Sequence, residues 1–148
     1  MNQESLRRRG ITHVVSWSPT ARCNVFPEVD YLCIHDVFNY SDMLRHLDEL
    51  DRAVEYVEAA RRAGGKVMSH CWNGRNRSIT LLMAYLMKYG GMSARDALAL
   101  LQRTRSIADP YRDVLFQYGK QYLHLRKRSV ELKDLREWWF EIYSSSED

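Results

Sequence analysis

The chain has no run of 18 apolar residues, so the sequence contains no transmembrane helix. The basic cluster in its opening "MNQESLRRRG" is not followed by an apolar segment, which argues against a secretory signal peptide. Only three cysteines are present, Cys23, Cys33 and Cys71. They are too few and too scattered for a disulfide framework, and a reducing cytoplasmic or nuclear compartment fits them better. No second Cys/His pair stands at ligand spacing, so no zinc site is expected. The net charge of +3 is small: it tolerates anionic partners but does not argue for nucleic acid. Repeats and low-complexity linkers are also missing, and nothing in the sequence sets an oligomeric state. What is there is ordinary: 148 residues, 45% hydrophobic and 28% charged, enough for one globular domain with a real core.

Short apolar runs alternate with longer helical patterns. "THVVSW" (12–17) and "VDYLCIH" (29–35) read as buried strands. From 43 to 62, Met43, Leu44, Leu47, Leu50, Val54, Val57 and Ala60 fall at helical spacing, with Ser41 or Asp42 as the cap and Gly64-Gly65 as the stop. "KVMSH" (66–70) reads as a third strand. "SITLLMAYLMKY" (78–89) is apolar on nearly all sides, hence a buried helix. Ser93 with Asp96 reads as a capping box, for a helix ending about residue 105. Asp109-Pro110 reads as the start of a helix to about residue 127. A final amphipathic helix, "VELKDLREWWFEIY" (130–143), precedes a polar tail. Strands followed by helices argue an α/β fold with a central sheet.

The third strand runs into "HCWNGRNRS" (70–78), and the buried helix follows at once. That order puts the loop's backbone N–H groups at a helix N-terminus, where the dipole favours an anion. Gly74 allows a tight turn close to a ligand, and successive N–H groups make a nest for phosphate oxygens. Arg77 can give a phosphate two parallel charge-assisted hydrogen bonds. Cys71 stands in the same positive field, which lowers a thiol pKa from about 8.5 into the range of roughly 3.5–7.5. A thiolate inside a phosphate cradle implies attack on phosphorus and a cysteinyl-phosphate intermediate. His-Cys-x-x-Gly-x-x-Arg-Ser should arise by chance about once in 10⁵ chains of this length.

At these residues the sequence resembles the cysteine-dependent protein tyrosine phosphatase superfamily, and most closely its small dual-specificity branch. "GITHVVSW", "RAVEYVEAARRAGGKVMSHC" and "AYLMKYGGMSARDALALLQRTRSIADP" resemble the family's early strand, its helix and strand leading into the nucleophile, and the following helices. The resemblance, which covers roughly residues 10–125, implies a central, mostly parallel sheet flanked by helices; the chain then divides into a catalytic domain over 1–128 and a helical extension and polar tail over 129–148. It implies Cys71 as nucleophile, Arg77 as phosphate ligand, and Ser78 as the group that helps the thiolate leave. His70 would support the loop. Trp72, Asn73, Gly74, Arg75, Asn76 and Arg77 would form the substrate cradle, with no metal or other cofactor. The implied substrate is a phosphorylated protein. A chain without room for pocket-deepening insertions would accept phosphoserine and phosphothreonine as well as phosphotyrosine.

The family's general acid is an Asp on the loop after the second strand, about 30 residues before the nucleophile. Asp36 follows "YLCIH" directly but lies 35 residues before Cys71, whereas Asp42 lies 29 before it, beside the expected helix start. Asp36 is the better fit and Asp42 the reserve. The family also places one more strand before the segment where this chain begins, and residues 1–10 read as too short and polar to supply it. Either the chain is trimmed or its sheet has an open edge that something else covers. Arg75 resembles a feature of superfamily members acting on inositol phospholipids, and Asn76 one of RNA 5′-triphosphatases. These make an alternative substrate class for the same mechanism. A phosphoprotein-binding module with little turnover is the other alternative. Cys33 reads as a buried strand cysteine rather than a resolving thiol. Leu132, Leu135, Trp139 and Ile142 read as one face of a terminal helix packed on the domain.

Overall fold

Among the described residues, the apolar runs form one sheet: β1 (His13–Ser16), β2 (Asp30–Cys33), β3 (Val67–Cys71) and β4 (Phe140–Ser144), in the order β2-β1-β3-β4. All neighbouring strands pair in parallel, Val15 beside Leu32 and Ser69, and Ser69 beside Ile142. The computed structural model describes residues 3–17, 23, 25–35, 37, 39–71, 76–103, 106, 108–123 and 140–144, without the side chains of 71 and 140–144. Among the described residues six helices accompany the strands: α1 (Gln3–Arg9), α2 (Tyr40–Arg45), α3 (Leu47–Arg62), α4 (Arg77–Tyr89), α5 (Ala94–Gln102) and α6 (Arg112–Tyr122).

Strand alternation sends residues to two cores. On one face Val15, Leu32 and Val67 join α4 and the apolar sides of α3, α5 and α6 in the main core. On the other, Val14 and Met68 pack with Val29, Ile11 and Leu6 of α1. Every residue of α4 is buried, so the helix that starts at Arg77 is held on all sides. Even its charged Lys88 is enclosed: Nζ lies 2.9 Å from Asp51 Oδ1 and 2.6 Å from Glu55 Oε1. Burial pulls the Lys88 pKa down, but its bonds to Glu55 and Asp51 outweigh this and set it above the ordinary lysine value. The Tyr118 and Tyr89 hydroxyls donate to the same two carboxylates, so α3, α4 and α6 share one satisfied polar network.

Several expectations are met and several corrected. Ser93 does cap α5, its Oγ accepting from the Asp96 N–H at 3.1 Å. The helix expected over 43–62 is two helices, parted at His46, whose φ of −120° and ψ of 51° leave helical geometry. Its cap is neither Ser41 nor Asp42 but Asn39, whose Oδ1 accepts from the Asp42 N–H at 3.0 Å. Gly64 ends α3 as expected, at a φ of +80° that suits glycine. The helix expected from Asp109-Pro110 begins only at Arg112, because the preceding groups have other partners: the Asp109 carbonyl accepts from Asn76 Nδ2 at 2.8 Å, and the Tyr111 N–H donates to Thr80 Oγ1 at 2.9 Å. Residues 140–143, read as the end of an amphipathic helix, lie in strand β4, which also takes in Ser144 of the expected tail; residues 130–139 lie outside the described residues. β4 pairs with the edge of β3 from the C-terminal side, which satisfies the backbone groups of that edge.

The cysteines are the other correction. Cys23 and Cys33 form a disulfide, with Cα atoms 6.1 Å apart. Cys23 lies against the end of β2, a proximity that a count of cysteines does not contain. Cys33 is thus neither a free core cysteine nor a resolving thiol.

Candidate active site

The backbone order needed for a phosphate loop is present: β3 ends at Cys71 and α4 begins at Arg77, with Asn76 as its N-cap. Trp72, Asn73, Gly74 and Arg75 lie outside the described residues, as does the Cys71 side chain. The Asn76 side chain makes no capping bond to α4. It turns instead to the Asp109 carbonyl, while its own carbonyl accepts from Thr80 Oγ1 at 2.8 Å. The end of the loop is therefore tied to the segment before α6, and its side chain leaves the first-turn N–H groups of α4 uncapped.

Arg77 is buried, and its guanidinium has a fixed seat. Nη1 donates to the Trp17 carbonyl at 2.7 Å and to the Val37 carbonyl at 3.0 Å. These carbonyls belong to the segments leaving β1 and β2, so both segments converge on one side chain. Both hydrogens of Nη1 are used. Among the described residues Arg77 makes no other bond, which leaves Nε–H and the Nη2 hydrogens, the edge that forks onto an oxyanion. A buried cation held only by carbonyls is electrostatically incomplete, so its position favours an anion.

Ser78, the next residue, is fully buried, as are Ser69 and Trp17. Trp17 Nε1 donates to Ser69 Oγ at 3.2 Å, and Ser69 Oγ donates to Ser78 Oγ at 3.0 Å. The Trp17 N–H also donates to the His70 carbonyl at 2.9 Å. Trp17 therefore contacts His70, Arg77 and, through Ser69, Ser78. His70 is buried on β3, on the sheet face opposite Ser69. Neither Trp17 nor Ser69 was singled out by sequence reasoning. No local pattern marks them, since the two lie 52 residues apart along the chain.

Of the two candidate acids, Asp36 lies outside the described residues, but its neighbour Val37 is buried and bonded to Arg77. Asp42 sits in the first turn of α2, its Oδ1 2.6 Å from Arg45 Nη2. A third grouping escaped the spacing argument: the sulfurs of Cys23 and Cys33 and an imidazole nitrogen of His35 lie within 4.8 Å of one another. Sulfurs bonded to each other present no thiolate to a metal.

Residues 1–121 match the family described as dual specificity phosphatase, catalytic domain. The chain belongs to the dual specificity phosphatase family. Dual specificity protein phosphatase 22 of Homo sapiens is 33% identical over 144 residues, which cover 97% of this chain and 73% of that protein. Dual specificity protein phosphatase 1 of Arabidopsis thaliana is 30% identical over 109 residues; the match covers 74% of this chain and spans only 54% of that protein's length. The crystal structure of human dual specificity phosphatase 28 superposes with a TM-score of 0.72 at 30% identity, covering 83% of this chain and 87% of that one. The family's α/β fold, a small parallel sheet flanked by helices, is the fold described above. This dual specificity phosphatase domain is that of a cysteine-based protein phosphatase. Among the described residues no helix is long and apolar enough to cross a membrane.

Proposed function

We propose that this chain hydrolyses phosphotyrosine and phosphoserine or phosphothreonine in proteins through a cysteinyl-phosphate at Cys71. The observation that carries the reading is the seat of Arg77: two backbone carbonyls hold Nη1 and leave the opposite edge for a phosphoryl group. In the first step the Cys71 thiolate attacks phosphorus. The S–P bond forms, the P–O ester bond breaks, and the departing oxygen takes a proton from Asp36. In the second step a water oxygen attacks phosphorus after giving a proton to the Asp36 carboxylate. The S–P bond breaks, its electron pair returns to sulfur, and inorganic phosphate leaves. Arg77 and the backbone N–H groups of residues 72–77 stabilise the charge that builds on the equatorial oxygens in both steps. Ser78 donates a hydrogen bond to the sulfur as it becomes a thiolate, and His70 supports the loop.

Asp36 is assigned over Asp42 on two grounds. Val37, the residue after Asp36, is bonded to the phosphate arginine, whereas Asp42 is paired with Arg45 inside a helix. The cytoplasmic or nuclear setting belongs to the same proposal. Since the Cys23–Cys33 disulfide removes the cysteine argument for a reducing compartment, that setting rests on the phosphoprotein substrate alone.

The test is phosphate release, with chelator present, from phosphotyrosine and phosphoserine peptides, inositol phospholipid vesicles and triphosphate-ended RNA. Release from both peptides is expected. Release from the lipid or RNA alone would move the chain to that substrate class, and tight peptide binding without release would make it a binding module. Arg77→Lys should lower kcat/KM by roughly 10²-fold or more, because an ammonium cannot hold two carbonyls and fork onto phosphate at once. Near-normal kinetics in that variant would mean that another cation, such as Arg75, is the phosphate ligand.

A further inference from the structure

The hydrogen bonds behind Ser78 run in one direction. An indole N–H only donates, so Trp17 Nε1 must give its hydrogen to Ser69 Oγ. Ser69, receiving that hydrogen, passes its own to Ser78 Oγ at 3.0 Å. Ser78 then accepts on its oxygen, and its single proton is left to be donated elsewhere. Were the second bond reversed, Ser78 would spend that proton on Ser69 and have none for a neighbouring sulfur. The three side chains are fully buried, away from bulk water that could re-orient them, and successive donors in such a chain polarise one another.

We propose that Trp17 and Ser69 are positioning residues that keep the Ser78 proton available to the departing Cys71 thiolate, so that they act on hydrolysis of the cysteinyl-phosphate and not on its formation. The proposal rests on the reading of Cys71 as nucleophile. In the step concerned, water oxygen bonds to phosphorus, the S–P bond breaks and its electron pair goes to sulfur. The Ser78 O–H donates a hydrogen bond to that sulfur and keeps its proton.

The experiment compares steady-state and rapid-mixing kinetics on an activated aryl phosphate for the wild type, Ser69→Ala, Ser69→Thr, Trp17→Phe and Ser78→Ala. Ser69→Ala removes the donor that fixes the Ser78 hydroxyl, whose proton can then turn to a helix carbonyl in place of sulfur; it should lower kcat about 10-fold, the scale of one hydrogen bond to a charged group, with kcat/KM within about 2-fold of wild type. A burst of released phenol, near one per enzyme, should precede the slowed turnover. Ser69→Thr restores the hydroxyl and should restore kcat. Trp17→Phe keeps the ring and the backbone contacts but loses the N–H, and should give the same split in a milder form. It also serves as the second variant if Ser69→Ala fails to fold. Adding Ser69→Ala to Ser78→Ala should cost nothing further, because Ser69 acts through Ser78. Equal losses in kcat and kcat/KM, or additive losses in the double variant, would overturn the relay. The mechanism itself is read separately, by trapping phosphate on Cys71 in denatured wild-type enzyme. A trapped intermediate with unchanged kcat in Ser69→Ala sinks only the relay, whereas no trapped intermediate in a wild type that turns over sinks the cysteinyl-phosphate reading.

Discussion

Cys71→Ser should abolish turnover of every phosphate ester while leaving inorganic phosphate bound nearly as tightly as in the wild type. The change replaces sulfur by oxygen and removes the one property the reaction needs, an ionised nucleophile at neutral pH. A thiol beside a helix N-terminus and an arginine ionises at pH values well below about 8.5, whereas a serine hydroxyl in the same field stays protonated. Binding should survive because the proposed phosphate ligand has a seat of its own: Arg77 is held by the Trp17 and Val37 carbonyls, groups that the substitution does not change. Initial rates on an aryl phosphate, with titration calorimetry of inorganic phosphate, separate the two effects. Residual turnover within about 10²-fold of wild type would require a different nucleophile. Loss of phosphate affinity along with the rate would mean that the thiolate, not the arginine, organises the loop.

What could be read from the sequence was local. The motif over 70–78 announces its own context, since a short apolar strand, a glycine turn and an apolar helix follow one another without interruption. The α4 helix and the Ser93 cap follow from patterns spanning a few residues. What failed depended on contacts between distant segments. Pro110 looks like a helix start until Asn76 and Thr80 take the groups around it. Residues 140–143 look helical by periodicity, and become part of a strand because the edge of β3 offers unpaired backbone groups. Cys23 and Cys33 look scattered in the sequence but are bonded in the fold. The same limit hid the surroundings of the site. Arg77 stood out in the motif, but not the carbonyls that hold it, which lie 60 and 40 residues away. Ser78 stood out beside it, but not the serine and tryptophan behind it.

Asp36→Asn should cripple hydrolysis of phosphoserine and phosphotyrosine peptides by about 10²–10⁴-fold, the usual contribution of a general acid. The alkoxide that leaves phosphoserine is strongly basic, so the P–O bond cannot break without a proton delivered to that oxygen. An activated aryl phosphate has a leaving group that is already a weak base, and its hydrolysis should fall far less. An acid must be protonated when the first step begins, so the basic limb of the kcat/KM pH profile belongs to it and should flatten in the variant. The bond between the Val37 carbonyl and Arg77 Nη1 holds the neighbour of Asp36 on the arginine proposed to bind the phosphoryl group. Asp42 has no such link. It lies in the first turn of α2 with its carboxylate against Arg45, and its backbone N–H donates to the Asn39 cap. Asp42→Asn keeps that backbone bond and removes the charge facing Arg45, so it should leave the discrimination between the two leaving groups as in the wild type. Measured side by side on a phosphoserine peptide and an activated aryl phosphate, the two variants decide the assignment. If Asp42→Asn alone discriminates between the leaving groups, the proton comes from α2. If neither does, no carboxylate on these two positions serves as acid, and the chain would release only phosphates whose leaving groups depart unaided.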